Sequence, residues 1–434
     1  MQLEPGVAQG KDNRPVLAEI IKLRQEHATL LGYANHAEYQ LEENMAKRPD
    51  TALDFSLDLA RRSLPQAKRE MAEMLEFGSN LLKRIPEFHD IGFVSEKMRE
   101  AKFSVNSEAL RQYFPVEKVV GGLFELIETL YGLRFVRNLT TSAWHEDVRV
   151  YDFMDVASNV LKGTLYLDLF KRKHKNSGAW MSPVQSRHDG GSQARLPVTY
   201  IVCNAPKDVG QVATFDFDEV VTLFHEMGHG LHNLLTEVPE EYFSGLNQVE
   251  HDAVELPSQF MENFCWDYEI LKKLTQHVVT GESLPVAEFV NLKASKLFMA
   301  ANSLLAGARY SILDMMVYSN PDKDPFELET QVLNSLKARE RDPRATILPS
   351  FSHIFVGGYS AGYYAYQWAE MLSADAFAAL KGEGSSFEAQ RKAANLFRKH
   401  VLATGGVQGM DKNFKEFRGR EPDLSHMLRE YGMV

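Results

Sequence analysis

Cysteine is almost absent from this 434-residue chain, which has Cys203 and Cys265 and no others. No disulfide framework can be built from them, so a reducing compartment, the cytoplasm, is expected. No apolar run of about eighteen residues occurs, which excludes a simple membrane-spanning helix. Residues 1–13 lack the apolar core of a secretory signal. A basic excess is missing as well. Against 48 Lys and Arg stand 59 Asp and Glu, a net charge of −11, so neither nucleic acid nor an anionic membrane is an expected partner. No internal repeat or low-complexity tract stands out. What is present is 44% apolar residues, enough for a large core and room for two lobes.

Hydrophobic periodicity is mostly helical. Residues 14–31 place Val16, Ile20, Ile21, Leu23, Leu30 and Leu31 near helical spacing and stop at Gly32, a natural C-terminal glycine. Residues 51–82 read as one or two long helices interrupted near Pro65. Residues 115–133 form another, with Leu123, Leu126, Ile127 and Leu130 on one face. The pattern then changes to alternation at 148–153, 163–169 and 198–203, three expected strands. Between the last two, 171–195 is polar, basic and glycine-containing, and reads as a mobile loop. From 216 onward the chain is helical again.

That return to helix carries the chemistry. Residues 223–232 read LFHEMGHGLH. His225 and His229, four apart, project from one face of a helix a turn apart, near enough to share a tetrahedral metal. Glu226 can reach a water at that metal and act as its base, the H-E-x-x-H arrangement. With 14 His in 434 residues, about 0.03 such pentads are expected by chance. Asp216 with Glu219 has capping-box spacing just before the apolar run. Val220, Val221, Leu223, Phe224, Met227, Leu231, Leu234 and Leu235 make the helix apolar over much of its circumference, so it is expected to be buried. Two His and a Glu buried there need partners, which a metal supplies. His232 falls on nearly the same face and is read as a packing residue. A third ligand should come from a later helix, and spacing alone leaves Glu240, Glu241, Glu250, Glu255 and Glu262 open.

The H-E-x-x-H helix followed by D-x-V-E-x-P-S-Q-x-x-E-N, at 252–263, resembles the thimet oligopeptidase family of zinc peptidases, in wording nearest its bacterial oligopeptidase A branch. The resemblance implies Glu255 as third ligand and Asp252 as acceptor for an imidazole N–H. It continues through 351–368 (FSHIFVGGYSAGYYAYQW), similar to the family's substrate-binding segment. There it implies that His353, Tyr359 and Tyr366 face the scissile peptide, that Tyr363 lines the same cleft, and that Gly357 and Gly358 let the backbone close over it. Tyr166–Leu169 with Arg172, Lys175 and Gly178–Trp180 resembles the stretch upstream of the zinc helix, and 414–422 the family's C-terminus. The match runs from about Arg14 to Met433. The family's long helical N-terminal half has no counterpart in it.

The fold is expected to be mainly α, a two-lobed zincin-type metallopeptidase with a small β-sheet next to the H-E-x-x-H helix and a deep channel. Residues 105–293 should form the zinc lobe, and 1–104 with 294–434 the other. One Zn²⁺ should be held by His225, His229 and Glu255, with Glu226 as base and Tyr366, Tyr359 and His353 at the substrate. The chain is expected to be a monomeric endopeptidase for short unstructured peptides. An edge strand would pair with the peptide backbone, and 198–203 is the strand expected to do so. Two rivals stand beside this. A zinc carboxypeptidase would need a basic pocket for a terminal carboxylate, with Arg172, Lys173 and Lys175 as candidates. A catalytically incompetent peptide- or metal-binding fragment is the other.

Overall fold

The computed structural model describes residues 12–103, 106–207, 212–340, 346–382 and 386–433. Most of residues 1–13, where the missing signal core was noted, lie outside them. Among the described residues helices predominate, five strands form a single sheet, and no helix is long and apolar enough to cross a membrane. The chain divides into two compact units.

One unit is built from 1–104, 294–368 and 428–434. Its first helix is Arg14–Leu30, followed by Gly32 at φ +91°. Its longest helix, Pro49–Leu82, contains Pro65 and is not interrupted there. The sequence suggested a break, and packing overrides it. Ala52, Ser56, Ala60, Ser63 and Ala67 make a buried stripe of small side chains, along which helix Ala300–Ser319 lies. The pair is locked where the Asn302 side chain donates to the Ala67 carbonyl (2.9 Å) and Glu70 accepts the Asn302 backbone N–H (3.0 Å). One missing N–H at Pro65 costs less than losing that contact. Leu17, Ile21, Leu41, Leu313, Tyr318 and Ile354 form the core of this unit.

The other unit is built from 105–293 and 369–427. Residues 369–427 thus stand with the sheet and not, as the sequence reading had it, with 1–104. Aromatic packing explains their place. Phe397 stacks on Phe260 (4.0 Å, 16°), and Phe377 meets Phe260 and Phe264 edge-on.

The sheet comprises β1 (Leu133–Asn138), β2 (Arg149–Asp155), β3 (Leu161–Phe170), β4 (Trp180–Gln185) and β5 (Val198–Ala205), in the order β1-β2-β3-β5-β4. All neighbours are antiparallel except β3 and β5. Two expectations are corrected here. The stretch 171–195 is not simply a loop, since it contains β4. And 198–203 is not an edge, because β5 lies between β3 and β4. It pairs on both sides, parallel with β3 and antiparallel with β4, a placement that the pattern along one strand does not encode. The edges are β1 and β4, and Pro183 in β4 suits an edge, where a missing N–H breaks no inner ladder.

Candidate metal centre

Helix Phe217–Leu234 opens with the reciprocal cap read in the sequence. Glu219 N–H donates to Asp216 Oδ1 (2.8 Å), and Asp216 N–H to Glu219 Oε2 (2.7 Å). The helix packs on β5, β4 and β3, with Asn233 donating to Thr199 Oγ1 (2.7 Å). This fixes the height at which His225 and His229 emerge.

Helix Leu256–Glu262 crosses it closely. The closeness depends on Gly228. A Cβ there would meet the Pro257 carbonyl oxygen at 2.3 Å and Ser258 Cα at 2.5 Å, so only glycine admits this approach. Glu255, at the N-cap of the second helix, is thereby brought to the histidines. Its Oε2 lies 3.3 Å from His225 Nε2 and 3.1 Å from His229 Nε2. Ligand atoms of all three fall within 4.8 Å of one another, and among the described residues this is the one such group able to hold a metal. Two imidazole nitrogens and a carboxylate are the donor set of a three-ligand zinc site. The residues therefore fit the ion.

Two of the three candidate ligands are held by a further contact, whereas the buried Nδ1 of His229 has no hydrogen-bond partner among the described residues. Ser258 Oγ donates to Glu255 Oε2 (2.8 Å). His225 Nδ1 lies 2.6 Å from Glu262 Oε1. A carboxylate there only accepts, so Nδ1 carries a proton and Nε2 is the nitrogen left for a metal to claim. The acceptor on His225 is therefore Glu262 and not Asp252. Asp252 is fully buried, and its charge acts on His251. Glu255 and Glu262, seven residues and two turns apart, share one helix face.

The electrostatics agree. Burial works to lower the His225 pKa, but Glu255 and Glu262 outweigh it and push it up to about 10. Burial works to raise the Glu255 pKa, but the two imidazoles hold it well below the usual carboxylate range. Glu226 is buried, and its pKa is raised by desolvation against the pull of both histidines and the Met181 backbone amide in β4. That is the direction a general base needs. His232 is fully buried, pushed down to about 3 by desolvation and so neutral. It packs and does not join the three ligands.

Metal and proton compete for His225 Nε2. Because its pKa is raised, the ring is protonated at neutral pH until a metal displaces that proton. Zinc affinity, followed by competitive titration from pH 6 to 8, is expected to rise about tenfold per pH unit. Glu262→Gln should weaken binding by about 10- to 100-fold by loosening the ring. An unchanged affinity would remove Glu262 from the site.

Two of the three cations proposed for a carboxylate pocket are otherwise engaged. Arg172 binds both oxygens of buried Asp168 (2.5 and 2.7 Å), and Lys175 Nζ reaches Asp168 Oδ1 (2.9 Å) and the Phe170 carbonyl (2.8 Å). Burial works to raise the Asp168 pKa, yet Arg172, Lys175 and Trp144 draw it down to about 2. This cluster pins the chain between β3 and β4. Lys173 is exposed.

The aromatic segment belongs to the other unit. There His353, Tyr359, Tyr363 and Tyr366 come together. Tyr359 stacks on Tyr366 (4.7 Å, 18°), and His353 and Tyr366 both meet Tyr363 edge-on (5.6 and 5.4 Å). Gly358 takes φ +84°, a left-handed conformation open to glycine. Tyr310, on helix Ala300–Ser319, joins the cluster against Tyr363 (5.6 Å). Nothing near it in sequence marks it.

Comparison with known proteins agrees with this geometry. The model of peptidase family M3 matches residues 4–433. Oligopeptidase A of Escherichia coli strain K12 is 42% identical over 434 residues, covering 97% of this chain and 62% of its own. Oligopeptidase A of Salmonella typhimurium is 40% identical over 441 residues, with the same coverage. The chain thus spans 62% of the length of these relatives. Among solved structures, PZ peptidase A with an inhibitor superposes with a TM-score of 0.54 at 15% identity, over 97% of this chain and 65% of that one. At that identity the likeness concerns the fold alone.

Proposed function

The chain belongs to peptidase family M3, a metallopeptidase family, and on that premise we propose that it is a zinc-dependent endopeptidase for short, unstructured peptides. One observation carries the reading: His225 Nε2, His229 Nε2 and Glu255 Oε2 converge on one point, with buried Glu226 beside them. The name oligopeptidase borne by its relatives supports the substrate class. Both cysteines are buried free thiols, which accords with a cytoplasmic setting.

Zinc held by these three side chains would lower the pKa of a bound water toward about 7 and polarise the scissile carbonyl. Glu226 takes the proton from the attacking water and delivers it to the leaving amine. Its desolvated carboxylate suits both halves of that task, since a raised pKa makes it a stronger base and keeps the acquired proton at hand. Tyr359 and Tyr366 are assigned to the carbonyl oxygen, where their O–H groups donate as negative charge develops. His353 and Tyr363 bind substrate in the same segment, and Gly357 and Gly358 allow its backbone to approach. An extended peptide can add to the edge strand β4 through main-chain hydrogen bonds, which recognise backbone and ask little of sequence.

Peptides of one sequence, with ends blocked or free, test the proposal. An endopeptidase cleaves both at the same internal bond. Cleavage only of the free-ended peptide, near its C-terminus, would make the chain a carboxypeptidase instead.

A further inference from the structure

The aromatic segment is held from behind by a carboxylate that has no part in the reaction just described. Asp314, in helix Ala300–Ser319, is fully buried, and among the described residues it makes no ion pair. Burial pushes its pKa up to about 7, against the pull of backbone amides and of the Arg24 charge, and a buried carboxylate is costly unless hydrogen bonds replace its water. Here they come from one place. Ala361 N–H donates to Oδ1 (2.8 Å), Tyr363 N–H donates to Oδ2 (2.9 Å), and the Gly362 backbone amide contributes between them. Both oxygens are spent on one turn.

That turn needs holding. Ala361 sits at φ +52°, a left-handed conformation that a side chain with a Cβ disfavours. The turn closes through Gly362 N–H to the Tyr359 carbonyl (2.9 Å) and Ala365 N–H to the Gly362 carbonyl (3.0 Å). It therefore sets the distance between Tyr359 and Tyr366, whose rings stack at its two ends. Neighbouring contacts work on the same segment. His36 Nε2 is 2.9 Å from Ser360 Oγ, and Arg24 donates to the Phe355 carbonyl (3.0 Å). Among the described residues, Asp314 is the side chain that takes the N–H of the strained residue itself.

We infer that Asp314 is a positioning residue: by accepting the backbone N–H groups of 361–363 it holds the left-handed turn at Ala361 and so aims the phenols of Tyr359 and Tyr366. This rests on the reading that those phenols serve the peptide. The carboxylate itself touches no substrate. Its effect on catalysis passes through the geometry of the turn.

Asp314→Asn tests this, alone and combined with Ala361→Gly. Asparagine keeps the size but turns an N–H₂ group toward a backbone N–H. Three readouts are taken together: bound zinc, amide hydrogen exchange across 359–364, and cleavage of an internally quenched peptide. Zinc binding should not change, since no metal ligand is touched. Exchange should quicken at least about tenfold, and kcat should fall about 100-fold, the order of losing one oxyanion donor, with KM moving little. Ala361→Gly in the same chain should restore part of both, because glycine adopts the turn without the Cβ penalty. If the single variant does not fold, this double variant is the one measured. Quicker exchange with unchanged kcat would reduce Asp314 to a structural anchor and overturn the inference. Unchanged exchange would refute the anchoring itself. A wild type that cleaves nothing would sink the endopeptidase reading instead, and the exchange data then decide the anchor by themselves.

Discussion

Gly228→Ala is expected to cost this chain its metal, although Gly228 ligates nothing. The added Cβ would fall 2.3 Å from the Pro257 carbonyl oxygen and 2.5 Å from Ser258 Cα. Both are backbone atoms, so no side-chain rotation relieves the clash. The helix Leu256–Glu262 must move away, and Glu255 and Glu262 move with it. Overpacking of this kind costs about 1–3 kcal/mol of stability. The larger effect falls on the site, where a displacement of about 1 Å in one group is worth about 10²-fold in activity. Zinc titration and thermal melting of the variant measure both. Gly230→Ala is the control. Its Cβ would meet only side chains, Ile201 at 3.3 Å and Thr199 at 3.8 Å, and zinc binding should survive. If Gly228→Ala binds zinc as the wild type does, the close crossing is not what brings Glu255 to the histidines.

Glu226→Gln should separate chemistry from metal binding. The amide has the shape of the carboxylate and occupies the same buried place, but it cannot take up a proton at neutral pH. The three proposed ligands remain, so bound zinc should equal that of the wild type. Cleavage should fall by about 10²–10⁴, the usual worth of a positioned base. Equal zinc with near-wild-type turnover would show that another group accepts the proton.

How far the sequence revealed this site depended on the range of each interaction. His225, Glu226 and His229 were legible because a single helix turn fixes their geometry. So was the Asp216–Glu219 cap, another contact of three residues' reach. Glu255 was one of five candidates until the family resemblance singled it out, since its meeting with the histidines depends on a helix crossing that no local pattern encodes. Glu262 was among the same five. Its spacing of seven from Glu255 was the signal that the two share a face, and it serves as acceptor on His225 rather than as a ligand.

The strands show the same limit. Strand β4, short and carrying Pro183, becomes a strand through pairing with β5 and not through its own alternation. The run at 198–203 was assigned to an edge, but its own pattern does not say which strands flank it; the pairing with β3 and β4 does. Pro65 signalled a break, but the stripe of small residues from Ala52 to Ala67 was the stronger statement about that helix. Tyr310 and Asp314 gave no signal at all. They act on 359–366 from a helix far away in sequence, and only the fold brings them there.

Whether these residues form a metal-dependent peptidase site is decided by the cleavage of a short, internally quenched peptide before chelation, after it, and after stoichiometric zinc is restored. Turnover should disappear with the metal and return with zinc, in proportion to the sites filled. Full turnover in the chelated protein, or filled zinc sites with no turnover at all, would contradict it.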